Sequence, residues 1–151
     1  MVIGLRCSNK DYSFAIVDGN KNSPVLVDSG TIHFPNGFSR PAELKWFYQE
    51  LDELSRKYKI DKWGIKGAEA MAQKGKLYTS RAENEAIVFL LGANKGNENV
   101  FRKVKATIAK DLGCKGKAKY LVTDIDITSV VNYAKTSEKI NEAILVAWSC
   151  L

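Results

Sequence analysis

Apolar and polar positions alternate in short runs at the start of the chain. Val2, Ile3 and Leu5 make a run too short for a helix, Ser8-Asn9-Lys10-Asp11 is a polar tip, and residues 12–17 form a second run closed by Asp18-Gly19. The pattern predicts a hairpin over residues 2–18 whose first strand is buried on both faces. Asn20-Lys21-Asn22-Ser23-Pro24 is a turn cluster, and residues 25–34 read as a third strand with a bulge at Asp28-Ser29-Gly30. The three strands make an antiparallel meander. In many α/β proteins the residue ending such a central strand carries the chemistry; here it is Arg6.

The spacing then lengthens to that of a helix. Leu44, Phe47, Leu51, Leu54 and Tyr58 lie on one stripe, opposite Glu43, Lys45, Glu50, Asp52, Glu53 and Lys57. The stripe predicts a sheet-packing helix opened by Ser39 or Arg40, with Pro41 in its first turn, where a missing N–H costs nothing. Residues 62–68 read as a fourth strand which, following a helix, lies parallel to the first. Residues 69–78 are small, polar and glycine-containing and read as a loop. Ser80 and Glu83 have capping-box spacing for a helix over 81–93, apolar on all sides and so expected to be buried on most. Residues 99–104 read as a fifth strand, 105–112 as a helix ended by Gly113, and 120–127 as either strand or helix. Thr136-Ser137 caps a terminal helix with an apolar stripe of Ile140, Ala143, Ile144, Ala147, Trp148 and Leu151.

The expected architecture is thus α/β, a five-stranded mixed sheet with helices on both faces. With no repeat, linker or low-complexity segment, one domain spans residues 1–151. A chain of this length buries roughly 70% of the surface its unfolded form exposes. Its apolar content of 45% and charged content of 26% are those of a soluble globular protein. No apolar run is long enough to cross a bilayer and no export signal precedes the first strand, so a cytoplasmic protein without membrane contact is expected. Cys7, Cys114 and Cys150 are odd in number and widely spaced, which suggests reduced, small apolar residues. With His33 as the one histidine, no zinc site is expected.

Charge changes the picture more by place than by amount. The net charge is +6, and the tract Arg102, Lys103, Lys105, Lys110, Lys115, Lys117 and Lys119 contains one acid, Asp111. Such a tract is the footprint of a polyanion-binding surface, or else a solvated lysine-rich face.

Specific stretches also resemble a known family. Ile3-Gly4-Leu5-Arg6-Cys7-Ser8 and the return strand over 12–17 stand where RuvC-type Holliday-junction resolvases carry a Gly-Ile-Asp-Pro-Gly type motif and its returning strand. Gly64-Ile65-Lys66, then Glu69-Ala70-Met71-Ala72-Gln73-Lys74, stand where that family reads Ala-Ile-Glu followed by a loop. Lys139-Ile140-Asn141-Glu142-Ala143-Ile144-Leu145 matches its terminal Asp-x-x-Asp-Ala-Leu-Ala. The chain therefore resembles the RuvC-type resolvases, a DNA-cleaving branch of the ribonuclease H-like superfamily. The resemblance implies a ribonuclease H-like fold, a homodimer packed through helices near the active face, and four carboxylates holding two Mg²⁺ ions.

In that alignment the four carboxylate positions are Arg6, Lys66, Lys139 and Glu142, so three cations replace acids. Asp11, Asp18, Glu69 and Glu138 lie nearby, but recruiting them shifts strands out of a register that period-two alternation holds. The expectation is a catalytically silent resolvase-like module, a pseudoenzyme with no catalytic residue, metal or cofactor. It would bind nucleic acid, DNA rather than RNA, through Arg6, Lys66, Lys74, Lys76 and the basic tract. Trp63, Tyr78 and Tyr120 are available to stack on bases, or belong to the core. The alternatives are a structural or regulatory homodimer with no nucleic-acid role, its seam on the helix over 81–93, and a Mg²⁺-dependent nuclease with a displaced carboxylate site.

Overall fold

β1 (Val2–Cys7) lies at the centre of a five-stranded sheet of order β3-β2-β1-β4-β5. The computed structural model describes residues 1–72, 75–96, 99–114 and 121–151. β2 (Asp11–Asn20) and β3 (Ser23–His33) continue antiparallel from β1, as the alternation predicts. The bulge falls one residue earlier than expected. Ile16 faces Asp28 and Val17 faces Leu26, so Val27 is the extra residue. Gly30 stays in the ladder opposite Phe14, whose ring lies where a side chain would begin.

α1 (Arg40–Lys57) starts where Ser39 and Pro41 predict, and buries Phe47 and Leu51 against the sheet. β4 (Lys62–Lys66) returns parallel to β1, and β5 (Val100–Lys103) parallel to β4. Between them, α2 (Gly75–Asn94) is longer than predicted. The expected loop over 69–78 contains a 3₁₀ turn at Ala70–Ala72 and the start of α2. Ser80 therefore sits inside the helix rather than capping it. Its carbonyl accepts from Arg40 Nη2 at 2.7 Å, and Glu83 accepts from Arg40 Nε at 2.7 Å. Arg40 thus ties α1 to α2 with the residues that mimic a capping box. Nor is α2 buried all round: Val88 and Leu91 face inward, while Leu77 and Leu90 are 67% and 51% exposed. Only one flank of α2 meets α1 and the sheet, so the remaining apolar residues face outward.

α3 (Lys105–Asp111) ends before Gly113 as expected. From residue 121 onward, the stretch read as strand or helix is helical, with α4 (Leu121–Asp124) followed by a 3₁₀ turn at Ile127–Ser129. α5 (Glu138–Ser149) is capped by the Ser137 side chain, which accepts from the backbone N–H of Ile140. None of the described helices is long and apolar enough to cross a membrane.

Strand alternation sorts the core into two layers. Ile3, Leu5, Cys7, Tyr12, Trp63 and Ile65 pack beneath α1 and α2. Val2, Ala15 and Val17 pack beneath α5, α3 and α4. Gly4 and Gly64 let α5 lie almost on the sheet: a Cβ at Gly4 would stand 2.0 Å from the Ala143 carbonyl oxygen. Cys7, Cys114 and Cys150 are free thiols, and burial pushes Cys7 up to about 12, which leaves it an inert packing group.

Candidate functional site

Because Ile3 and Leu5 point to the α1 side, period two sends Gly4 and Arg6 to the α5 side. On β4 the same rule sends Lys66 there, since Trp63 and Ile65 belong to the opposite layer. The parallel pair Leu5–Ile65 sets Arg6 and Lys66 side by side at one end of the two central strands. The first turn of α5, brought close by Gly4, lays Lys139 and Glu142 over that end. The four aligned positions therefore line one cleft of about 350 Å³, together with Glu69, Arg81, Lys105 and Glu138.

Arg6, Lys66 and Lys139 are each held by a carboxylate. Arg6 Nε lies 2.7 Å from Glu142 Oε2, and its Nη1 donates to the Cys7 carbonyl. Lys139 Nζ lies 2.8 Å from both oxygens of Asp11, which also accepts from Ser8 Oγ. The buried Lys66 ammonium donates to the Gly67 carbonyl at 2.7 Å and to Glu69 Oε1 at 2.9 Å. Burial pushes Lys66 below its ordinary value, against the pull of Glu69 and Glu142. Arg81 Nη2 donates to the Lys66 carbonyl, and its Nε lies 2.8 Å from the buried Glu85.

Asp11 and Glu69, which sequence reasoning set aside as displaced ligands, are thus the partners that hold the cations. Arg81 was missed altogether. The one sequence signal for it is its four-residue spacing from Glu85 on a helix. Among the described residues, no group of three His, Cys, Asp or Glu side chains could hold a metal ion. Five cations and three acids, Glu69, Glu138 and Glu142, line the cleft, and Asp11 and Glu85 just behind the lining offset Lys139 and Arg81 at 2.8 Å.

The predicted binding residues separate. Lys105 lines the cleft, and Lys76 and Lys110 are exposed on α2 and α3. Arg102 and Lys103 have internal partners. Arg102 meets Glu85 at 2.8 Å and lies over the Phe89 ring, while Lys103 meets Asp111 and the Ser149 carbonyl, each at 2.8 Å. Lys74, Lys115, Lys117 and Lys119 lie outside the described residues, as does Tyr120. Trp63 is fully buried, whereas Tyr78 lines a depression that shares Arg6 and Arg81 with the cleft. His33 is exposed, 3.9 Å from Asp11.

Burial alone would raise the Asp11 carboxyl, but hydrogen bonds from Lys139 and Ser8 hold it below its ordinary 3.8. In Glu69 burial is likewise outweighed, by Lys66 and the backbone N–H of Lys105, and the carboxyl lies below 4.5. A carboxyl depressed in the folded state adds stability above its ordinary value, and that share is lost as pH falls through the lower folded value. The urea midpoint should therefore drop below about pH 4. Asp11→Asn should lower the midpoint at pH 7 and shrink the acid drop; an unaltered acid limb would remove Asp11 from this account.

Solved structures of Holliday junction resolvases share this fold. The chain is 11% identical to Thermus thermophilus RuvC in complex with a Holliday junction substrate, covering 98% of this chain and 90% of that one at a TM-score of 0.75. It is 12% identical to the yeast mitochondrial Holliday junction resolvase Ydc2, covering 99% and 78% at 0.64. For the Fowlpox virus resolvase with its Holliday junction DNA the identity is 12%, the coverage 99% and 97%, and the TM-score 0.59. No family model and no curated protein matches the sequence. The fold is therefore the ribonuclease H-like fold of the resolvases, in agreement with the sequence resemblance.

Proposed function

We propose that this chain, with the fold of the Holliday-junction resolvases, is a single-domain, metal-independent nucleic-acid-binding module whose cleft receives a backbone phosphate. The observation that carries this reading is the convergence of Arg6, Lys66, Arg81, Lys105 and Lys139 in one cleft at the end of the central strands. Guanidinium and ammonium groups fixed by carboxylates are pre-oriented donors for an oxyanion, so little side-chain entropy is lost on binding.

The Mg²⁺ pair implied by the fold family does not fit the side chains present. Asp11, Glu69 and Glu142 are each engaged by a cation at 2.7–2.9 Å. An ion would have to displace those partners while lying beside Arg6 and Lys66. The module therefore binds without cleaving, in the cytoplasm, and the structural neighbours solved with Holliday junctions favour DNA over RNA as its ligand.

Fluorescence anisotropy on branched, duplex and single-stranded DNA and on RNA tests this. Affinity should fall linearly with log salt, as counterion release requires. Lys139→Ala should weaken binding about tenfold and reduce the salt slope by about one. A Kd that does not change with salt would end the reading. Labelled substrates should stay intact with Mg²⁺ or Mn²⁺; cleavage would restore the displaced-site nuclease.

A second reading, a homodimer joined through α2, draws on the exposure of Leu77 and Leu90. Light scattering at twice the chain mass, reduced to a single mass by Leu90→Glu, is its expected signature.

A further inference from the structure

The chain holds one histidine, His33, at the end of β3. Strand register decides its surroundings. Arg6 on β1 faces Ser13 on β2, and two residues before Ser13, Asp11 faces His33 across the β2–β3 pair. Residues directly opposite share a face, so Asp11 and His33 stand on the α5 side of the sheet with Arg6. The imidazole Nδ1 lies 3.9 Å from Asp11 Oδ2, and its side chain is 77% exposed. Lys139 of α5 reaches the same carboxylate from the cleft, with Nζ 2.8 Å from both oxygens. Asp11 is therefore flanked by a cation that lines the cleft and an imidazole just outside it.

With a neutral imidazole, Lys139 and Asp11 cancel. A protonated imidazole leaves the three groups with one positive charge, on the surface that a backbone leaving the cleft would cross. Lys10 in the β1–β2 turn and Glu43 of α1 line the depression beside His33; they carry opposite charges, and Glu43 is paired with Arg40 at 3.1 Å. Burial pulls Asp11 upward, but hydrogen bonds from Lys139 and Ser8 hold it below 3.8, so it stays ionised where an imidazole changes charge, about pH 5 to 8. Burial keeps the Cys7 thiol protonated over the same range. The Met1 amine, bonded to Asp61, lies at the opposite end of β1 from Arg6.

We infer that His33 is a proton-controlled contact for the nucleic-acid backbone: once protonated, it shares Asp11 with Lys139 and draws in the phosphate that follows the one in the cleft. The inference rests on the nucleic-acid reading above and adds that affinity rises as pH falls. When His33 is neutral, Asp11 is left to offset Lys139 and the backbone is held by the cleft alone.

The test measures anisotropy of a labelled four-way DNA junction at about pH 8 and about pH 5.5, over a series of salt concentrations. The wild-type protein should bind about threefold or more tightly at the lower pH. Its salt slope there should be steeper by about one, the increment for one further phosphate contact. His33→Gln should show the wild-type high-pH affinity and slope at both pH values. His33→Arg, whose charge is permanent, should bind at high pH as tightly as wild type does at low pH. Position 33 is exposed, so both variants should keep the wild-type melting temperature. Equal wild-type affinities at the two pH values, a pH response that persists in His33→Gln, or a His33→Arg protein no tighter than wild type at high pH would each overturn the inference. If binding depends on salt but not on pH, and Lys139→Ala weakens it, the cleft stands and the role of His33 falls. If the junction binds at neither pH, both readings fall.

Discussion

Glu85→Ala should destabilise the protein by about 3–5 kcal/mol, the range for removing one partner of a buried ion pair. Glu85 is 3% exposed on α2 and lies 2.8 Å from both Arg81 Nε and Arg102 Nε. Arg102 is partly solvated, but the Arg81 side chain is only 11% exposed and would keep its charge with no counter-charge. For a chain of this size that loss corresponds to a melting temperature lower by roughly 6–20 °C. Replacing Arg81 and Glu85 together by leucine should recover most of it, because the cost comes from the orphaned charge rather than from loss of a favourable pair. The double variant would still lack the guanidinium that reaches the Lys66 carbonyl at the cleft. Its stability should thus recover while its nucleic-acid affinity does not. Calorimetry and anisotropy on the same samples separate the two effects, and a Glu85→Ala protein as stable as wild type would refute the electrostatic argument.

Gly4→Val is expected to have the other large effect, about 3 kcal/mol or more, at the upper end of the cost of overpacking a core. A Cβ at Gly4 meets the Ala143 carbonyl oxygen at 2.0 Å and the Ala147 N and Cβ at 2.8 Å. These are mainly backbone atoms of α5, which no rotamer change can clear, so the helix must move away from β1. Lys139 and Glu142 would move with it and leave Asp11 and Arg6. Gly30→Ala is the control, since its Cβ meets only the Phe14 ring, at 3.1 Å, and a ring can tilt. Urea denaturation should show a clearly smaller loss for the control; equal losses would mean that α5 does not depend on Gly4 for its approach.

Glu85 and Gly4 also mark how far the site could be read from the chain alone. The meander was legible because alternation over residues 2–17 admits one core face per strand, and α1 and α5 because their stripes run for several turns. The start of α2 was not. Gly75 with φ +78 reads as a turn, and Ser80 with Glu83 has the spacing of a cap although both serve Arg40 on α1. A local pattern yielded there to a tertiary partner 40 residues away or more. The Val27 bulge was displaced for a similar reason: Gly30 looks like a break in sequence but accommodates the Phe14 ring across the strand pair.

The sequence by itself determined the class of the fold and which strands and helix carry Arg6, Lys66 and Lys139. Residue type, period and order suffice for these because they are properties of single strands and helices. Only the tertiary structure decided which acids answer those cations, since Lys139 and Asp11 are 128 residues apart and Arg6 and Glu142 are 136 apart. Charge pairing of that kind is set by how closely α5 approaches the sheet. A side chain's identity is written in the chain, but its partner is chosen by the surface brought against it.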